Sequence, residues 1–478
     1  MLSIRSLRIL TLDIPREPLY SWTTTQKGDV EFGLRNASWF VNQWSAAYAK
    51  LPQESRAQVD IQLLLLGDEG EWWKEEPFKS ELKTIYSRMP VSPMRDLSIL
   101  CTADWARFVL APESFDLARV RSIIEYSVHN HFRLKTSWPD QGKTKILQQC
   151  RSLQKLELIC HAPADDAIFK WAVQERSGAA AVAANASSIS GATKPLGQGR
   201  DGLVPLSELK LVLTDFLPSW QDAVFAFGTT LQSLKIKDCN HSNEVDLCVF
   251  QDMPVLRCLT LVCPVIKASV APFSGCPRLT TIYLGNTGRI FNDQDRFGQW
   301  DLAQVQVLTL EGSVCRQFNQ ATLKKMPMLK ALVMIDVVDD MHDRGTFAWD
   351  MSCWGPFPRL KSLELSALMT KSFCWSMLEQ CPALNYLRLD ALKMDPEEVE
   401  FPPFSQPLAV YPTLRILALN GYPHSNAGLF DQLPRIAPNL GSLTLHSRTP
   451  LSSAQRSELN SKFKLLRYTS YLPDEDYW

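Results

Sequence analysis

The residue types able to do chemistry are sparse in this sequence and badly spaced for it. Gly142-Lys143-Thr144 has the closing letters of a phosphate-binding loop. Ser137, however, stands where the first glycine must be, and no buried strand precedes it, so the backbone cannot wrap a phosphate. His129 and His131 are two residues apart near an expected helix end and point apart, which makes a poor metal pair. Cys258 and Cys263, five apart, would need two further donors, and none stands near them in the sequence. No C-x-x-C, H-E-x-x-H or Gly-x-Ser-x-Gly occurs. The expectation is a protein that is not an enzyme and carries no metal and no cofactor.

What holds these residues is a repeat. The pattern L-x-x-L-x-L begins at Leu206, Leu231, Leu256, Leu279, Val305, Leu329, Leu360, Leu384, Leu414 and Leu440, with a degenerate copy at Phe463. Ten copies with steps of 23 to 31 residues are not an accident of leucine-rich composition. The second and third apolar positions of each copy alternate with residues expected to be exposed, the period of a strand buried on one face. About twenty residues then return to the next strand, too long for a hairpin and suited to a parallel coil with a helix or 3₁₀ turn outside. Ser372–Leu378 and Gln320–Met326 fit that outer layer. A proline stands two residues before most first positions, as in Cys276-Pro277, Met326-Pro327, Phe357-Pro358 and Cys381-Pro382. It is expected to end the outer helix and force the preceding residue extended. Cys150, Cys276 and Cys381 share one repeat position, three before a core leucine, and read as small buried apolar groups.

Upstream the pattern is looser: Leu7-x-x-Leu10-x-Leu12, Ile61-x-x-Leu64-x-Leu66, Met94-x-x-Leu97-x-Ile99 and Leu153-x-x-Leu156-x-Leu158. Helices are expected over Ser114–Phe132, with Leu117, Val120, Ile123, Ile124 and Val128 on one side, and over Ala37–Tyr48, with Phe40, Val41, Trp44 and Tyr48 on one face. The stretch from Glu175 to Gly202 is rich in Ala, Ser and Gly without periodic large residues and reads as a flexible loop. The expected organisation is irregular repeats over 1–174, a low-complexity loop over 175–204, and regular repeats with the C-terminal end over 205–478.

The cores joined to Cys276-Pro277-Arg278-Leu279 and Cys381-Pro382-Ala383-Leu384 resemble leucine-rich repeats of the cysteine-containing type, the kind carried by fungal F-box/leucine-rich-repeat proteins. The likeness runs from about 205 to 470 and partly over 1 to 175. It implies an α/β right-handed solenoid with a parallel sheet on the concave face and helices or 3₁₀ turns outside. It also implies a protein-interaction scaffold, with substrate recognition for an SCF-type ubiquitin ligase as its setting. Leu51-Pro52-Gln53-Glu54 matches the opening letters of an F-box, but Ser55 to Asp60 follow where that module carries apolar helix residues, and a repeat core already lies upstream at Leu7. A ligase adaptor is therefore an expected partner only if such a module precedes Met1.

Composition narrows the classes further. With 50 Lys+Arg against 51 Asp+Glu, interspersed along 478 residues, no basic block invites nucleic acid. No window of 18 apolar residues is present for a membrane span, and the first residues lack the apolar run of a secretory signal. A cytoplasmic or nuclear protein with twelve reduced cysteines is expected.

If the strands stack in register, three residues per repeat line the concave face. Most rows carry charge. The rows of Cys258-Thr260-Val262, Thr281-Tyr283-Gly285, Val307-Thr309-Glu311 and Ala331-Val333-Ile335 are unusually apolar. Contiguous apolar surface marks an interface, so Val262, Tyr283, Val307, Val333 and Ile335 are the expected partner-binding residues. The charged rows on either side would form the rim of that interface, and Tyr386 and Arg388 there, like Tyr283, are of the types that make hot spots and complete the expected binding residues. Three alternatives stand beside this reading: a small-molecule sensor holding its ligand at the apolar centre, internal cover of the face by a loop or by the segment 339–357 with Phe347, Trp349 and Trp354, or a misassigned register.

Overall fold

The structure is a computed structural model of the 478-residue chain. It describes residues 10–13, 61–66, 94–99, 121–125, 152–160, 206–213, 220–238, 244–263, 265–267, 273–286, 302–312, 320–335, 354–366, 373–391, 409–422, 427–447 and 451–470, with single positions between them. The chain forms two compact units, Met1–Lys235 and Ile236–Trp478.

In the first unit, parallel strands follow one another in chain order: β1 (Leu10–Asp13), β2 (Ile61–Leu66), β3 (Met94–Ile99), β4 (Ser122–Glu125), β5 (Lys155–Cys160) and β6 (Glu208–Leu213), then helix α1 (Trp220–Phe227) and β7 (Ser233–Asp238), which runs across the division. Two expectations are corrected here. The middle of the helix expected over Ser114–Phe132 is strand β4, with Ile123 fully buried between Leu97 and Leu156 in register. Five apolar residues at near-helical spacing satisfied the helix pattern, but the Ile123-Ile124 pair is β-branched, a type favoured on a pleated surface. In β2, Leu63 and Leu65, rather than Leu64 and Leu66, stand in the column of Leu97 and Ile99. A run of four leucines has no alternation, so nothing local chooses its parity, and a one-residue slip exchanges the faces. Of the helix expected over Ala37–Tyr48, the described positions 42 and 46 are helical. The loop at 175–204 lies outside the described residues.

In the second unit the sheet order is β9 (Cys258–Val262), β11 (Thr281–Asn286), β12 (Val307–Gly312), β13 (Ala331–Ile335), β14 (Ser362–Ser366), β15 (Tyr386–Asp390), β16 (Ile416–Asn420), β17 (Ser442–Ser447) and β18 (Leu465–Ser470), all parallel and open rather than closed on itself. Two short strands, β8 (Glu244–Asp246) and β10 (Val265–Lys267), pair separately. The return segments are 3₁₀ turns at Leu247–Phe250, Gln320–Lys325 and Trp375–Gln380 and helices α2 (Ala427–Ile436) and α3 (Ser453–Lys462). This is an α/β arrangement of successive strand-and-return units, compatible with a solenoid. No helix among the described residues is long and apolar enough to cross a membrane.

The register follows from burial. All eleven first core positions from Leu206 to Phe463 are buried, as are the second and third apolar positions of the ten copies before Phe463, so Leu308, Leu332, Leu363, Leu387, Leu417 and Leu443 form one fully buried column. Behind the sheet an aromatic series fills the space to the return layer: Phe273 meets Trp300 edge-on at 5.2 Å, Trp354 meets Phe357 at 4.9 Å, and the Tyr411 hydroxyl donates to the Trp375 carbonyl at 2.6 Å. Most coils are also stitched to the next by one carbonyl that accepts two successive amides. The Lys330 carbonyl, for example, takes Lys361 N at 2.7 Å and Ser362 N at 3.1 Å.

The proline signature proves to be a tight turn. The amide of each first core residue that follows such a proline bonds back three residues, as in Leu360 N to Phe357 O at 3.2 Å and Leu384 N to Cys381 O at 3.0 Å, with the proline second in the turn, where its fixed φ is favoured. Leu302–Val305 and Cys150–Leu153 close the same turn without proline, so the proline favours the turn without creating it. The corner residue before it is always buried, whether Met253, Cys276, Met326, Phe357, Cys381, Tyr411 or Ala437.

Candidate binding face

Turning the leucines inward leaves the alternate residues on the opposite face of the sheet, partly exposed along β9, β12, β13, β14 and β15. Register places them in three lines. The first runs Cys258, Thr281, Val307, Ala331, Ser362, Tyr386. The second runs Thr260, Tyr283, Thr309, Val333, Glu364, Arg388, and the third begins Val262, Gly285, Glu311, Ile335. Val262, Tyr283, Val307, Val333 and Ile335 thus fall on four adjacent strands, all partly exposed. At about 4.8 Å between strands and about 3.3 Å per residue, the patch measures about 200 Å². That is a quarter of the ~800 Å² one partner commits to a stable interface, the size of a hot-spot centre rather than a whole interface.

Tyr386 and Arg388 do not join that patch. Strand β14, with Ser362, Glu364 and Ser366, lies between. Arg388 is engaged by its neighbours: one guanidinium nitrogen reaches Asp390 Oδ2 at 3.0 Å, the other Glu364 Oε2 at 3.8 Å. Partial burial, with the Glu364 charge beside it, pushes the Tyr386 phenol above its ordinary range. Beyond them Asn420 is buried, its Nδ2 donating to Asp390 Oδ2 at 2.7 Å, while its Oδ1 has no hydrogen-bond partner and no solvent access.

Two residues that sequence reasoning passed over shape the apolar patch. Gly285 is buried, and a Cβ placed on it would stand 3.0 Å from the Tyr283 ring edge, 3.3 Å from Val262 Cγ2 and 3.6 Å from Glu311 Oε2. The missing side chain leaves a notch that an aromatic ring, a methyl group and a carboxylate already close in. Glu311, the one charge in these four rows, was legible in the sequence, but its nearness to the ring was not.

In the first unit the corresponding face is ionic. Glu157 accepts from Lys210 at 2.8 Å and lies 3.2 Å from Lys155, which also reaches Glu208 at 3.7 Å. Burial works against the Glu157 charge, but the two lysines outweigh it and hold the carboxyl below its ordinary range.

The sulfur positions are structural. Cys150, Cys276 and Cys381 are buried, and burial pushes their thiols up to about 12, 11 and 12. Cys276 donates to the Phe250 carbonyl at 2.9 Å. Cys258 stands in the partly exposed row while Cys263 is buried after the strand ends, so the two face opposite sides of the sheet. Among the described residues no cluster of three His, Cys, Asp or Glu is placed to hold a metal ion. Trp354 lies in the return layer, its Nε1 donating to the Met377 carbonyl at 3.1 Å, and does not cover the apolar patch; Phe347 and Trp349 lie outside the described residues. No family model and no curated protein matches this sequence.

Proposed function

We propose that the chain is a leucine-rich-repeat protein, its strands wound as a right-handed solenoid, that acts as a non-enzymatic interaction scaffold. Its concave sheet face binds a partner protein, and recognition of substrates for an SCF-type ubiquitin ligase is the setting in which such a face would work. One observation carries the reading: five large apolar side chains stand together, partly exposed, on four adjacent strands of a sheet whose other face is already filled by leucine. Leaving them in water forgoes roughly 25 cal/mol for each Å² that a partner would cover.

The test is the double variant Tyr283→Ala, Val333→Asp. A carboxylate is harmless on a wet face but costs several kcal/mol when a partner closes over it. The expected result is loss of co-purifying proteins, followed by cross-linking and mass spectrometry, at an unchanged melting temperature. A large fall in melting temperature would mean that the patch is covered from within the chain. Unchanged capture and unchanged melting would mean that partners bind elsewhere.

A further inference from the structure

We propose that Tyr283, Gly285 and Glu311 form a subsite for a lysine or arginine side chain of the partner, carried on a segment with apolar residues to either side. This rests on the reading of the sheet face as a docking surface and names the chemistry of what docks there. Among the described residues the other carboxylates of this face are each held by a cation. Glu157 is held by Lys155 and Lys210, and Glu364 and Asp390 share Arg388. Glu311 is the exception. Its register neighbours are Gly285 and Ile335, no residue of the four apolar rows is cationic, and among the described residues it has no ion-pair partner.

A partner that covers Val262, Tyr283 and Ile335 must also cover Glu311, because all four meet at the Gly285 notch or stand next to it in register. Closing an apolar surface over an uncompensated carboxylate would oppose binding strongly. A basic side chain removes that opposition. Its charge meets the carboxylate, its ring neighbour Tyr283 favours a cation, and its aliphatic stem lies on Val262 and Ile335. The glycine matters because a side chain at 285 would displace the ring and the methyl that receive the basic side chain, its first carbon already 3.0 Å from the Tyr283 ring edge and 3.3 Å from Val262 Cγ2.

The experiment overlays the full chain on an array of nine-residue peptides with Val, Leu, Ile or Phe flanking a central Lys, Arg, Gln, norleucine or Glu. Lys and Arg members should be retained about ten-fold better than their Gln and Glu counterparts. Glu311→Gln should abolish that preference while leaving weak retention by apolar members, and Gly285→Ala should weaken Lys and Arg binding without lowering the melting temperature. Retention without charge preference, an unchanged preference in Glu311→Gln, or no retained peptide would each overturn the subsite. Val333→Asp separates the two readings. If peptides bind without charge preference and Val333→Asp removes them, the docking face stands and the subsite falls. If Val333→Asp changes nothing, the docking face falls as well.

Discussion

Leu363 and Glu364 are sequence neighbours on β14 that the fold sends to opposite faces, and everything said of the exposed face depends on that assignment. Leu363 is fully buried, in register with Leu332 and Leu387, over a corner held by Leu360 and Phe357, which are equally buried. Replacing it with Ala removes three carbon groups at about 0.8 kcal/mol each. Because the flanking strands are hydrogen-bonded in place, the site cannot collapse to fill the gap, and the cavity adds to the loss. The expected cost is about 3 to 4 kcal/mol, within the range seen when leucine is cut to alanine in other cores. Glu364→Ala loses one partly exposed interaction with Arg388 at 3.8 Å and should cost under about 1 kcal/mol. Equilibrium urea unfolding followed by far-ultraviolet circular dichroism measures both. Tryptophan fluorescence adds a local probe, since Trp354 and Trp375 lie in the return layer beside the affected repeat and neighbouring repeats support each other directly. A Leu363→Ala midpoint equal to that of wild type, or a Glu364→Ala loss as large as that of Leu363→Ala, would refute the register and with it the location of the binding face.

Gly275→Ala should destabilise by about 2 kcal/mol or more, because its Cβ would stand 1.5 Å from the Gln251 carbonyl oxygen and backbone would have to move; Gly441→Ala, whose Cβ meets nothing nearer than 3.9 Å, is the control in the same urea series. Glu157 should titrate below its ordinary 4.5 by nuclear magnetic resonance, and Lys210→Met should move the midpoint up. Since the folded carboxyl is the stronger acid, its stabilisation is complete above that ordinary value and drains as pH falls through the lower folded one; an unmoved midpoint in Lys210→Met would refute the pairing. Cys150, Cys276 and Cys381 should resist a thiol-specific disulfide reagent at neutral pH until urea unfolds the chain, since burial both shields them and keeps them protonated; labelling of any of the three in the folded protein, read by mass spectrometry, would contradict their placement.

The period of the leucines determined the parallel strands from 206 onward, which residues of each strand turn inward, and the buried cysteines at the turn corner. Local alternation and fixed spacing encode all three, and burying one face of each strand admits a single parity. It left β4 to be mistaken for helix and β2 out of step by one, because Ile123, Ile124 and the leucine run 63–66 satisfy two patterns at once and only pairing with Leu97 and Leu156 decides between them. For the candidate face, the sequence named Val262, Tyr283, Val307, Val333 and Ile335 as the apolar centre and Tyr386 and Arg388 as hot-spot types in the charged rows beside it. The ion pairs of Arg388 with Glu364 and Asp390 are visible only in the tertiary structure. The notch at Gly285 belongs to the tertiary structure alone. It arises where a ring from the same strand, a methyl from one neighbouring strand and a carboxylate from the other converge on a position with no side chain, and residues 23 or more apart meet there only because the strands lie side by side.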